Sequence, residues 1–227
     1  MYPDALFEYL ASLCNSHELA WDCATGNGQA ARFLAPRFDR VLATDASEKQ
    51  IASAVSNPNI EFRVAVAEDS GLDSDSVDLI TVAQALHWFD IERFYSEVRR
   101  VLKPGGVLAI WSYERSRITP ECNAVIEKAY QETDGYWPPE RKFVENHYRD
   151  FDMPLPEIEP EPFEMQLDWT AEDMLAYMRT WSGTRYYIEA KGKDPIDLFE
   201  QELKDAWGPQ RRDVRWPLTL RICQKAT

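Results

Sequence analysis

The chain has 227 residues, 44% of them hydrophobic, which is enough to bury one sizeable core. No apolar run reaches the length of a membrane span, and no basic-then-apolar leader is present, so we expect a cytoplasmic protein without a membrane partner. With 39 acidic against 25 basic residues the net charge is −14, which would repel nucleic acid and favours a small-molecule ligand.

The first half of the chain alternates between strand-like and helix-like segments. Ser47 with Gln50 forms a capping-box pattern, and the glycine-rich break at 26–28 separates a strand from a helix. These signals predict a helix over 4–13, a strand ending at Asp22, a helix over 29–35, a strand over 40–45 and a helix over 47–55. Such alternation is typical of a parallel sheet.

The alternation continues to about residue 113. Strands are predicted over 60–66, 77–83 and 107–111, and Asp90 is a plausible cap for a helix that ends at the glycines 105–106. Five strands with intervening helices indicate a doubly wound sheet. Its ligand should lie at the carboxyl ends of the strands.

The second half changes character, with proline-rich breaks around 135–139 and 153–162. Helices are predicted from Thr119, from the capping pair Thr170 and Asp173, and after Asp194. Two alternating segments, 163–169 and 214–222, predict a late antiparallel pair, in which Pro217 requires a bulge or a locally unpaired position.

The four cysteines show no CxxC pairing. We therefore expect free, mostly buried thiols and no metal site. The cysteines are Cys14, Cys23, Cys122 and Cys223.

The glycine turn after Asp22 predicts a nucleotide-like ligand, because its glycines permit close backbone approach and the next helix offers free N–H groups. The segment 26–31 also fits the dinucleotide pattern GxGxx(G/A), with Asp45 placed as a ribose-binding acid. Asp22 favours another cofactor, because a carboxylate beside a pyrophosphate would repel it. S-adenosylmethionine has no phosphate and carries a sulfonium and an ammonium group. A Tyr-x-x-x-Lys sequence at 187–191 would suit a reductase if it lay on the helix that follows the fifth strand, with a partner serine upstream. Here it lies beyond a proline-rich break, near Gly183 and Gly192.

A series of motifs, taken in order, resembles the class I S-adenosylmethionine-dependent methyltransferases, in the small-molecule branch around trans-aconitate methyltransferase. The motifs are Asp22 to Gly28, Thr44 to Ser47, Ala67 to Asp69, Asp78 to Ile80, Gln84 to Phe89 and Arg100 to Gly106. The resemblance implies an α/β fold with a Rossmann-like seven-stranded sheet of order 3-2-1-4-5-7-6, its last strand antiparallel, flanked by helices. It implies a single domain over 1–227, with cofactor binding in 1–113 and acceptor binding and sheet completion in 114–227.

The resemblance also implies roles for individual residues. Along the methionine part it places Asp22, Ala24, Gly26 and Gly28; on the ribose, Asp45; at the adenine, Ala46, Ala67 and Glu68; and at the amino-acid group, Ala83 and Gln84.

Three features depart from the family pattern. Ala24 replaces a glycine, so its methyl group should tighten the pocket or demand a negative φ. Val66 stands where many members have an acid. Members usually have a further N-terminal segment over the cofactor, and we expect weaker cofactor affinity without one.

His87, directly after the fourth strand, is the candidate catalytic residue, since its ordinary pKa of roughly 6.5 suits a general base. Alternatively, His87 and Trp88 shape the pocket wall. Candidate acceptor-binding residues are Trp88, Arg179, Trp181, Arg185 and Tyr186. Alternatively, Trp181 belongs to the core and both arginines are solvated.

The sequence thus predicts a methyltransferase that acts on a small molecule, with an organic-acid carboxylate as one candidate acceptor and S-adenosylhomocysteine as the product. Two alternatives remain at this point. One is a catalytically silent S-adenosylmethionine-binding or partner subunit, and the other is a nicotinamide-dependent oxidoreductase.

Overall fold

The first half of the chain folds as alternating strands and helices in a computed structural model that describes residues 2–227. The strands are β1 (Leu19–Cys23), β2 (Arg40–Asp45), β3 (Ile60–Val64), β4 (Val77–Ala83) and β5 (Leu102–Tyr113). The helices are α1 (Asp4–Ser12), α2 (Ala31–Leu34), α3 (Glu48–Ala52) and α4 (Ile91–Val101). Ser47 and Asp90 cap α3 and α4 as predicted. Helix α3 ends three residues before Val55, because the segment that follows is rich in weak helix formers.

The second half contains more helices than the sequence predicted. The helices are α5 (Pro120–Glu132), α6 (Arg141–Glu145), α7 (Ala171–Arg179), α8 (Ser182–Lys191) and α9 (Glu200–Trp207). The strands are β6 (Glu157–Ile158), β7 (Phe163–Trp169) and β8 (Arg212–Gln224). Thr119 caps α5, and Thr170 with Asp173 forms a complete capping box on α7, both as predicted.

The sheet runs in the order β3-β2-β1-β4-β5-β8-β6, and β7 pairs with β8 outside this path. Strands β1 to β5 are parallel, whereas β8 is antiparallel to β5. The predicted order and the antiparallel last strand are confirmed. The predicted count of seven strands is wrong, since there are eight. The additional strand is the two-residue β6, which lies at the edge of the sheet beside β8, whereas the predicted strand 163–169 forms β7. A strand this short, between Pro156 and Pro160, leaves no alternating pattern to recognise.

Pro217 lies where the pairing of β5 with β8 stops. The ladder continues without a register shift from Val107 opposite Gln224 to Tyr113 opposite Leu218. Beyond it, the Pro217 carbonyl accepts a hydrogen bond from the Glu114 N–H at 2.9 Å. Pro217 therefore takes part in main-chain hydrogen bonding through its carbonyl, although proline has no N–H to donate.

The chain divides into two compact units. Unit 1 comprises the residues up to Tyr113, from Phe143 to Phe163 and from Leu218 onward; unit 2 comprises 114–142 and 164–217. The predicted boundary at residue 113 coincides with the end of the first segment of unit 1. The predicted second half, however, is shared between both units.

The core of unit 1 lies around the central strands β1, β4 and β5, which are buried along nearly their whole length. Continuous burial is expected of parallel strands covered on both faces. No helix within residues 2–227 combines the length and apolarity needed to cross a membrane. The same residues bring together no group of three or more acidic, histidine or cysteine side chains suited to a metal ion. All four cysteines are free thiols; Cys14 is half-buried and the others are buried.

Candidate functional site

The glycine turn after β1 adopts left-handed backbone conformations at Ala24, Gly26 and Gly28, with φ values of 54°, 59° and 84°. The expectation of a negative φ at Ala24 is therefore wrong. Ala24 instead adopts a left-handed conformation of the kind that glycine favours, at a cost of roughly 1 to 2 kcal/mol. Gly28 is required for a second reason, since a Cβ there would lie 2.8 Å from the Phe62 ring.

Asp22 lies beneath this turn rather than on its surface, with only 1% of the residue exposed. Its carboxylate accepts hydrogen bonds from the hydroxyls of Thr25 at 2.5 Å and Thr81 at 2.8 Å, and from the Ala31 N–H at 3.0 Å. Burial raises the pKa of Asp22 to about 6, although the three hydrogen bonds act in the opposite direction. Asp22 thus joins the turn to α2 and β4 as a buried carboxylate.

Asp45, at the end of β2, holds the outer side of the turn. One carboxylate oxygen accepts the Gly26 N–H at 2.9 Å, and the other accepts the Ser47 N–H at 2.8 Å. A carboxylate oxygen can accept more than one hydrogen bond, so Asp45 retains capacity for donors from a ligand. Neighbouring parallel strand ends therefore present two acids, one buried and one accessible.

A cleft of about 670 Å³ opens beside Asp45. The predicted cofactor residues that line it are Ala24, Gly26, Asp45, Ala46, Ala67, Glu68, Ala83 and Gln84, and the predicted acceptor residue Trp88 lines it as well. Asp22 and Gly28 do not line it. The lining residues that sequence reasoning missed are Ser47, Gln50, Ala65, Val66, Ala85 and Phe89. Most of them are adjacent in sequence to predicted residues, and this adjacency is the signal that could have identified them.

The lining of the cleft combines polar and apolar side chains. Asp45, Ser47 and Gln50 are polar, whereas Val66, Trp88 and their neighbours are apolar. The Trp88 indole is 61% exposed at the cleft. An exposed aromatic ring beside small apolar residues suits a flat heterocyclic ligand.

Gln84 follows β4 with a left-handed backbone (φ 56°), and its N–H donates to the Trp111 carbonyl at 2.9 Å. Within residues 2–227, its side-chain oxygen Oε1 is buried without a hydrogen-bond partner. A buried acceptor without a donor is costly, so this oxygen favours a ligand that donates a hydrogen bond. An ammonium group is such a donor.

Glu68 also lines the cleft. One of its carboxylate oxygens accepts the Asp90 N–H at 2.8 Å, which ties the wall to the N-terminal cap of α4. Val66, where the family pattern often has an acid, exposes its side chain in the same cleft. The predicted positions of Ala67 and Glu68 at an adenine stay predictions.

His87 lies in a short 3₁₀ turn, Leu86–Trp88, directly after the Gln84 bend. Its Nδ1 is 2.9 Å from the hydroxyl of Tyr148, and the two rings are nearly parallel with centroids 6.0 Å apart. Sequence reasoning missed Tyr148, because it lies between two proline-rich breaks in a segment without an apolar period. Unlike Trp88, His87 does not line the cleft.

Two phenols lie in this part of unit 1: Tyr148, which is buried beside His87, and Tyr2, which is half-buried beside Trp111 of β5. The Tyr2 ring packs edge-on against Trp111 at 5.6 Å. Burial raises the pKa of both Tyr2 and Tyr148, and the nearby Tyr113 adds to both effects. Each phenol therefore keeps its proton at neutral pH and acts as a neutral hydrogen-bond donor.

The remaining predicted acceptor residues lie in unit 2. The Arg179 guanidinium is bound by three carboxylates, with distances of 2.8 Å to Asp194, 2.8 Å to Asp197 and 3.0 Å to Glu200. Arg179 would have to give up these partners to bind an acidic ligand. Its role as a clamp stays a prediction.

Trp181 is buried and stacks on Tyr130, with centroids 4.1 Å apart and planes 16° from parallel. Considering only residues 2–227, its Nε1 donor has no hydrogen-bond partner. Arg185 and Tyr186, on α8, are exposed. The structure thus brings the cofactor candidates together in unit 1 and disperses the acceptor candidates of unit 2 between its interior and its surface.

Comparison with known proteins gives consistent matches. A family model described as a methyltransferase domain matches residues 21–110. A candidate methyltransferase from Dictyostelium discoideum is 36% identical over 99% of this chain and 89% of its own length. The solved structure of a candidate type II methyltransferase from Anaeromyxobacter dehalogenans is 39% identical, covers 100% of this chain and 98% of its own, and has a TM-score of 0.94. The methyltransferase ptaI from Pestalotiopsis fici is 29% identical over 56% of this chain and 43% of its own length.

Proposed function

The chain belongs to the class I S-adenosylmethionine-dependent methyltransferases, and from that membership we propose that it methylates a small organic acid on a carboxylate oxygen. The observation that carries the proposal is the neutral phenol of Tyr2, which packs edge-on against Trp111 on β5 and, unlike the phenol of Tyr148, is not paired with His87. Hydroxyl groups that keep their protons can donate hydrogen bonds to a carboxylate without removing its charge. The net charge of −14 disfavours a nucleic-acid acceptor.

The cleft of unit 1 fits the cofactor chemically. Asp45 retains acceptor capacity for two ribose hydroxyls, and the apolar lining residues Val66 and Trp88 suit an adenine ring. The unpartnered Oε1 of Gln84 suits the ammonium of the amino-acid group. Asp22, buried under the turn, would act on the cofactor's positive charge through space rather than by contact.

When bound, S-adenosylmethionine supplies a methyl group on a positively charged sulfur. A carboxylate acceptor brings its own lone pair, so the new O–C bond forms while the C–S bond breaks and its electron pair stays on sulfur. The products are a neutral methyl ester and S-adenosylhomocysteine, and no proton has to be removed. The protein's task is therefore to hold acceptor, methyl and sulfur in line and to exclude water.

The test has two stages. Calorimetric titration with S-adenosylhomocysteine and, separately, with NADH should show saturable binding of the former alone. Binding of NADH alone would instead support an oxidoreductase. Turnover is then measured as S-adenosylhomocysteine formation on a panel of carboxylic acids, with aconitates first because of the motif resemblance, and on phenols and amines.

We expect turnover on at least one carboxylic acid, with a product that mild alkali hydrolyses back to the acid, as a methyl ester requires. Turnover confined to amines or phenols would overturn the proposed acceptor while leaving the enzyme class intact. Cofactor binding without turnover on any acceptor class would favour a silent cofactor-binding subunit.

A further inference from the structure

A buried chain of hydrogen bonds links β4 to the glycine turn through Asp22. Asp22 and Thr81 are register partners on the neighbouring parallel strands β1 and β4. The Thr81 hydroxyl donates to one carboxylate oxygen of Asp22 at 2.8 Å, and the Thr25 hydroxyl donates to the other at 2.5 Å. Thr81 is completely buried, so its hydroxyl serves Asp22 rather than solvent.

The turn that Asp22 holds forms part of the cofactor cleft. Ala24 and Gly26, which flank Thr25 in the chain, both line the cleft and both have left-handed backbone conformations. The oxygen of Asp22 that accepts from Thr25 also accepts the Ala31 N–H, at 3.0 Å. A strained backbone persists only where its surroundings enforce it. The buried carboxylate thus contacts the residue that lies between two lining residues of the cleft.

Hydrogen bonds hold the charge of Asp22 in this buried position. The titratable groups that face Asp22 are Asp45 on β2, Tyr2 and Cys23, and none of the three carries a positive charge. Burial raises the pKa of Asp22 and Asp45 adds to that effect, whereas the three hydrogen bonds lower the pKa. Loss of one of these donors would therefore favour the protonated acid.

We infer that Thr81 is a positioning residue whose hydroxyl keeps Asp22 ionised at neutral pH, and that this charge makes the site prefer S-adenosylmethionine to S-adenosylhomocysteine. The sulfur of the cofactor loses its positive charge when the methyl group leaves. A fixed negative charge under the turn therefore favours the substrate form of the cofactor and helps it to displace the product. The inference rests on the proposed function in one respect, namely that Asp22 acts on the cofactor through space.

Carbon-13 NMR of aspartate-labelled protein tests the role of Thr81 without any ligand, with the Asp22 signal assigned from Asp22→Asn. Thr81→Val keeps the branched shape of the side chain but lacks the hydroxyl, so it should raise the pH midpoint of Asp22 by about one unit. Thr81→Ala should give the same shift and serves if Thr81→Val does not fold. Thr81→Ser restores a hydroxyl and should keep the wild-type midpoint. An unchanged midpoint without the hydroxyl would refute the role of Thr81.

Thr44, on β2, provides a matched control on the other side of β1. It is buried like Thr81, but its hydroxyl accepts the Trp21 indole N–H at 2.8 Å and does not bind Asp22. Thr44→Val thus removes a buried threonine hydroxyl beside β1 and leaves all three hydrogen bonds of Asp22 in place. An equal shift of the midpoint in Thr44→Val would attribute the effect to packing and overturn the inference.

Calorimetry with both forms of the cofactor tests the preference for the substrate form. The ratio of the affinity for S-adenosylmethionine to that for S-adenosylhomocysteine should fall about threefold as Asp22 is protonated, and in Thr81→Val this fall should occur about one pH unit higher. A shifted NMR midpoint without a matching shift in the affinity ratio would overturn the proposed preference. Because neither measurement uses an acceptor, failure of every carboxylic acid on the panel would refute only the proposed acceptor.

Discussion

The two compact units use their charged and aromatic side chains in opposite ways. In unit 1, Asp45 binds backbone N–H groups and keeps capacity for further donors, and Gln84 leaves an acceptor unpartnered at the cleft. In unit 2, Arg179 is bound by three carboxylates and Trp181 is stacked inside an aromatic cluster. Side chains anchored by backbone donors at strand ends can still bind a ligand, whereas side chains that bind one another mainly stabilise the fold.

The largest effect that would sharpen this contrast is expected at Trp181. If it is a packing residue, Trp181→Ala should lower the free energy of unfolding by about 3 to 5 kcal/mol, because a large buried ring is removed. Denaturant unfolding measures this, and Tyr186→Ala, at an exposed position of unit 2, should change it by no more than about 0.5 kcal/mol. A stable Trp181→Phe protein that bound cofactor but had lost turnover would reverse the contrast and place the acceptor there.

A smaller effect is expected at the accessible acid of unit 1. Asp45→Ala should weaken S-adenosylhomocysteine binding by about 1 to 3 kcal/mol through lost ribose hydrogen bonds, as measured by calorimetry. Asp197→Ala is the matched control, since it removes a carboxylate of unit 2 that binds Arg179. An unchanged affinity in Asp45→Ala would show that Asp45 does not bind the ribose. Unit 1 would then no longer differ from unit 2 in having an acid that is available to a ligand.

The smallest effect concerns the buried acid. Because burial raises the pKa of Asp22 to about 6, this carboxyl gains its proton as the pH falls from about 8 to about 5. S-adenosylmethionine carries a sulfonium charge that S-adenosylhomocysteine lacks, so its affinity relative to the product should fall about threefold over that range. Calorimetry with both ligands at both pH values measures the ratio.

The Asp22→Asn protein should show no such change in the ratio, because its side chain does not ionise. If the wild-type ratio were also independent of pH, or rose toward low pH, Asp22 would have no electrostatic effect on the sulfonium. Its role would then be confined to holding the turn.

The fold of unit 1 was largely predictable, because parallel strands that end in acids and helices that start at capping residues are local patterns. Ser47 and Asp90 cap their helices as the sequence indicated. Helix α8 was missed since its Ser-Gly-Thr start and lack of an apolar period give no helical signal. Its stability comes from tertiary packing, which local propensity does not record.

The site was predictable where the pattern places a residue on a strand end, as at Asp45 and Gln84. It was not predictable where burial decides, since nothing local shows that Asp22 lies under the turn. The pairing of His87 with Tyr148 joins residues 61 positions apart in sequence, and no local spacing encodes it. Long-range hydrogen bonds of this kind need the folded chain.

The edge strand β6 has a consequence for the behaviour of the protein in concentrated solution. Its two residues lie between Pro156 and Pro160, and Glu157 on it carries a charge held by Arg221. An edge this short offers a neighbouring molecule few free N–H and C=O groups, and prolines cannot donate to an added strand. The edge that closes this side of the sheet is therefore a poor template for aggregation.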